Sequence, residues 1–119
     1  MSKKSKDLAM FIDKLEFLLN YTHEIYLAYC ENSKKFLYAE ILFDANQEII
    51  ALVKKYAYLL PKQNNIDAIN LLYHLQVWSS IWRTEARNQK PKPDDSFIFK
   101  NSINFPKNNV NNLLAIRNI

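Results

Sequence analysis

The chain contains no glycine, and that absence narrows the field before any motif is sought. Walker-type and dinucleotide-binding loops need glycine where the backbone must approach a phosphate, and the nucleophile elbow needs it beside the nucleophile, so these enzyme classes are excluded. Tight hairpins that require positive φ are disfavoured as well, whereas long helices joined by short connections need the fewest such residues. The fourteen asparagines are the expected substitutes at left-handed cap and turn positions. Cysteine is nearly absent: Cys30 stands alone, no disulfide can form within the chain, and a reducing, cytoplasmic setting is the expectation. No stretch approaches the roughly 18 uninterrupted apolar residues of a membrane span. The first lysines are followed by an apolar run broken by Asp13, Lys14 and Glu16, with no small-residue cleavage site behind it, so a signal peptide is rejected and a soluble chain with no membrane partner is expected.

What is present is ordinary globular material. Apolar residues make up 49% of the 119 positions and charged residues 24%, enough for one folded domain without staples. The net charge of +4 sits at the ends. Residues 1–7 carry three lysines against one aspartate, residues 8–85 seven basic against nine acidic groups, and residues 86–119 six against two. A nucleic-acid footprint is more often a dense basic stripe on one face.

Periodicity predicts an all-α fold: an antiparallel bundle of three long helices, then a proline-linked aromatic extended segment and a short C-terminal helix. Residues 1–4 are expected to be a disordered N-terminus, 5–89 the three-helix core, 90–107 linker and clasp, and 108–119 the last helix. The first helix is capped by Ser5 and runs to Glu31, and the second runs from Lys34 to Leu60, where Pro61 stops it. The third, Asn65 to Gln89, carries two apolar stripes. Ala68, Leu71, Leu72, Leu75, Trp78, Trp82 and Ala86 share one side, and Ile66, Ile69, Tyr73, Val77 and Ile81 the other. A helix apolar on two sides calls for neighbours on both, which makes this one the expected centre of the bundle. Its polar strip holds Asp67, Asn70, His74 and Glu85. Helices one and two show surplus apolar surface, on helix one at Met10, Phe17, Tyr21, Ile25 and Ala28. In the clasp, Phe97, Phe99, Asn101, Ile103 and Phe105 alternate onto one side of an extended segment.

Candidate chemistry is thin. Glu40, Asp44 and Glu48 form a ladder at helical spacing, which reads as a solvated face. A di-iron bundle needs Glu-x-x-His pairs, and neither His23 nor His74 follows a glutamate by three. Cys30 falls on a core stripe and is expected to be buried and inert. The two tryptophans share a stripe with leucines and are expected in the core. No catalytic residue, metal ligand or cofactor is assigned.

The functional expectation is a non-catalytic protein–protein interaction module, a small adaptor, immunity or antitoxin-like partner, that also self-associates as a homodimer. Phe17, Tyr21, Phe97 and Phe99 are the contact candidates, oriented by Arg83 and Arg87. The alternative is a nucleic-acid-binding accessory protein using Lys3, Lys4, Lys6, Lys90, Lys92, Lys100 and Lys107.

Overall fold

The computed structural model describes residues 2–100 and 104–118. It is all-α: α1 (Lys3–Glu31), α2 (Phe36–Tyr56), α3 (Asn65–Gln89) and α4 (Lys107–Ala115), with 3₁₀ turns at Ala57–Leu59, Lys62–Asn64 and Ile116–Asn118. Among the described residues the only β-type pairing is an isolated bridge between Lys35 and Ser96. The molecule is a rod of 50 × 21 × 21 Å.

α1 begins a turn earlier than the Ser5 cap implied. Ser2 is the cap, its side chain accepting the Ser5 N–H at 3.2 Å, so the helix includes Lys3 and Lys4. At the other end Asn32 donates its side-chain amide to the Ala28 carbonyl at 2.7 Å. The turn into α2 then uses two successive left-handed residues, Ser33 (φ 62°) and Lys34 (φ 53°), and Lys90 (φ 47°) closes α3 in the same conformation. The asparagines expected at these positions are elsewhere: Asn32 is occupied as an amide cap, and others hold α4 in place. Because Ser33 and Lys34 form the turn, α2 starts at Phe36 rather than Lys34. α3 has the bounds that its pattern predicts.

Of the three long helices α2, not α3, is the central one, since it packs on both of the others. Its apolar arc is wide enough to serve two neighbours. One end of the rod is an aliphatic core in which Phe11, Ile12 and Leu15 of α1 meet Ile49 and Val53 of α2, Leu71 of α3 and Leu113 of α4. The other end is aromatic: Trp82 stacks on Phe43 with ring centroids 4.3 Å apart and on Phe36 at 5.6 Å, and Phe97 inserts edge-on against Phe36 and Trp82.

Phe97 is delivered by the proline-linked segment, which lies across the turn between α1 and α2. The first N–H groups of α2 have no partner inside their own helix. Phe36 donates to the Asp95 carbonyl at 2.8 Å and Leu37 to the Pro93 carbonyl at 3.0 Å, while Phe97 N–H donates back to the Lys34 carbonyl at 2.8 Å. The Tyr29 hydroxyl donates to the Phe97 carbonyl. The clasp is therefore a cap for α2 as well as a cover for the aromatic core. Asn101 and Ile103 of the expected clasp lie outside the described residues.

Candidate interaction surface

The core stripe of α3 is covered and its second stripe is not. Ile66, Ile69 and Tyr73 are 56%, 57% and 62% exposed, one turn after another on the outer side of the helix, with Val77 half-buried in line with them. From Ala68 to Trp82 α3 contains no Asp, Glu, Lys or Arg. At 1.5 Å per residue that is about 22 Å of helix surface without a charge. Solvent-facing helices ordinarily carry charge on such a face. Among the described residues no second neighbour covers this stripe, because α4 packs on the Asp67 side of α3 instead.

The surplus apolar surface expected on the first two helices is only partly there. Phe17 and Tyr21 on α1 are exposed, their rings stacked at 6.3 Å, but Ile25 is buried. Leu37 and Ile41 of α2 are exposed near the aromatic end. Phe97 is fully buried and leaves the contact set, while half-buried Phe99 packs against Phe97 and Trp78 and keeps only part of its ring exposed. The reason is that the segment's alternation points these rings at its own bundle. Arg83 lies over the Phe43 ring at 5.0 Å and donates to the Gln47 side chain at 3.4 Å, tying α3 to α2, and Arg87 is exposed in the last turn of α3.

The seven lysines do not converge. Lys3, Lys4 and Lys6 open α1, while Lys90 and Lys92 follow the far end of α3, beside the turn where α1 gives way to α2; Lys100 is exposed after the clasp and Lys107 is exposed as the first residue of α4. Glu40, Asp44 and Glu48 are exposed on α2, and among the described residues no three His, Cys, Asp or Glu side chains come together as a metal set. Cys30 is exposed, contrary to the expectation of burial. It occupies the last turn of α1, where the stripe it belongs to runs past its cover; half-exposed Tyr26 hydrogen-bonds it, and that bond, with burial, raises the Tyr26 phenol above its ordinary value.

The polar strip of α3 is where reading residue by residue failed most. Asp67 and His74 are 4% and 7% exposed. Burial alone raises a carboxyl, yet three amides outweigh it: Asn109 and Asn112 of α4 donate to one Asp67 oxygen at 2.9 and 3.1 Å, and Asn64 to the other at 3.0 Å, holding the carboxyl below its ordinary value of 3.8. The signal was present in the clustered asparagines around Val110, which composition alone made look incidental. Arg117 adds a second tether, pairing with Glu16 and lying 3.5 Å from Asp13 on α1.

Comparisons with protein-family models, with curated proteins and with solved structures each return no match to this chain. With no relative to lend a role, the outer face of α3 stands on its geometry. No described helix is long and apolar enough to cross a membrane.

Proposed function

We propose that the protein is a self-associating, non-catalytic interaction module whose docking face is the outer side of α3. The observation that carries this reading is the run of Ile66, Ile69 and Tyr73, all more than half exposed, leading into a stretch of helix from Ala68 to Trp82 that holds no charge. Interface centres are depleted in charge and enriched in tyrosine, and contiguous apolar surface is seldom left to water. A second copy of the same face suits it best. Neither surface has a charge to desolvate or a like charge to repel its twin. In an isologous, antiparallel arrangement about an axis near Tyr73, Ile69 of one copy meets Val77 of the other, and each contact occurs twice. Phe17 and Tyr21, on α1, remain for a different protein.

Sedimentation equilibrium across the micromolar range tests the proposal. The expected result is a monomer–dimer equilibrium that Ile69→Lys and Tyr73→Lys each shift to monomer, with the far-ultraviolet circular dichroism unchanged. A wild-type chain that stays monomeric throughout overturns self-association, and a dimer indifferent to both substitutions moves the interface off α3. Because the lysines stand at both ends of the rod, the nucleic-acid alternative finds less support; it predicts co-eluting nucleic acid that salt removes.

A further inference from the structure

On the other side of α3 the bundle is incompletely filled. α4 packs between α1 and α3 toward the aliphatic end, where Val110 and Leu114 are its innermost reach into the groove, and Ile98 and Phe99 of the clasp lie near Tyr26 and Trp78 at the aromatic end. Between these two plugs lies a cleft of about 600 Å³, floored by Leu42 of α2 and Leu75 of α3, with Tyr26 and Trp78 on its walls. That volume falls within the roughly 300–1,000 Å³ of small-molecule sites. A cleft stopped at both ends does not admit a helix from a partner. None of its described lining residues is Asp, Glu, Lys or Arg, and the basic side chains there are two imidazoles, exposed His23 and buried His74, so the cleft favours an uncharged ligand.

Two deeply buried polar side chains line this space, Asn46 at 8% exposure and His74 at 7%, and Asn20, Thr22 and His23 of α1 add less buried polar groups to an otherwise apolar lining. Among the described residues, His74 Nδ1 is buried without any hydrogen-bond partner. Burial lowers the imidazole's pKa, against an opposing backbone interaction with Asn104, and so favours the neutral ring, on which Nδ1 can accept a hydrogen bond. An orphaned buried acceptor is costly in a folded chain and is retained where something else meets it. The ring packed edge-on against His74 is Phe105, at 5.4 Å between centroids and 49% exposed.

We infer that this cleft binds an uncharged aromatic small molecule whose O–H or N–H donates to His74 Nδ1 while its ring lies between Tyr26 and Trp78. The ligand's polar edge displaces the Phe105 ring to reach the imidazole, and Asn46 meets a second polar group. This site is separate from the outer face of α3 and stands or falls independently of self-association.

The test uses 2-naphthol and its methyl ether as probes, identical in ring and differing in the donor, with two-dimensional NMR of the full-length protein following the Trp78 indole and His74 imidazole signals. The expected result is saturable shifts of both with 2-naphthol and about tenfold weaker binding of the ether, the worth of one hydrogen bond. His74→Phe should erase the difference between the probes, Phe105→Ala should tighten 2-naphthol binding, and Leu42→Trp, which fills the cleft from the floor, should abolish it while the helical spectrum persists. Absence of saturable shifts in wild type, equal affinity for the two probes, or binding unaffected by Leu42→Trp overturns the inference.

Discussion

The two ends of this rod are closed by the same stretch of chain in opposite ways. At the aliphatic end the closing piece is a helix, α4, which satisfies its own backbone and so needs only side-chain attachment: Val110, Leu113 and Ile116 into the core, Asn109 and Asn112 onto Asp67, Arg117 onto Glu16. At the aromatic end the closing piece is extended and satisfies nothing by itself. It borrows partners from the first turn of α2 and the preceding turn, and is held by one large ring, Phe97, among Phe36, Phe43 and Trp82. A helix can be anchored by polar contacts spread over its length, whereas an extended plug concentrates its hold on one or two side chains. The aromatic end also retains a flaw, since the Trp82 indole N–H is buried with no acceptor among the described residues, which costs about 1–3 kcal/mol.

This difference is broken most forcefully at Phe97. Phe97→Ala should cost about 3–5 kcal/mol in urea denaturation, and hydrogen exchange should show the Phe36 and Leu37 amides losing protection while the α4 amides keep theirs. The matching truncation at the other end, Leu113→Ala, falls in the range of about 2–5 kcal/mol, with loss of protection confined to α4 and the facing turns of α3. If either substitution melts both ends together, the rod is one cooperative unit and the contrast is one of chemistry only.

Acid should distinguish the ends next. Asp67 has a folded-state pKa below its unfolded one, so the stability it contributes is complete above about pH 4 and is lost as pH falls through 3.8 toward the lower folded value. His74 also has a lowered value, so it too favours the folded state above its unfolded pKa, and its contribution fades as pH drops below 6.5. Stability against pH should therefore decline in two limbs. Asp67→Asn should cost about 1.5–3 kcal/mol at neutral pH, from the lost charge-assisted bonds, and remove the lower limb, whereas His74→Leu should flatten the upper one. The smallest effect is expected at the cap of α3, beyond both cores: Lys90→Gly, at a left-handed residue, should raise stability by about 0.5–1 kcal/mol in the same denaturation assay and leave both limbs unchanged.

Much of the helical framework was legible because its signals are local. The bounds of α3 follow from the apolar repeat, Asp67 near its start and the proline-rich sequence after Lys90, and the clasp was foreseen from the alternation of Phe97 and Phe99. The candidate surfaces were less legible. Ile66, Ile69 and Tyr73 were recognised as a stripe and assigned to the interior, while Phe97 and Phe99 were assigned to the exterior, and the structure exchanges them. A stripe says that a face is apolar; it does not say whether the chain has anything left to put on it. His74 and Asp67 looked solvated because a polar strip on a helix usually is, and only the return of the C-terminal segment to that strip buries them.

Sequence alone therefore determined the all-α class, the long helices and the extended proline-linked segment after α3, since helix periodicity, caps and proline act within a turn or two of chain. Tertiary structure alone decided that α2 is the centre, that Cys30 faces out, that three amides converge on one carboxylate, that a cleft opens between α1 and α3, and that the charge-free side of α3 is left uncovered. Burial belongs to pairs of segments distant in sequence, and the long-range packing that pairs them leaves no periodic trace in either one.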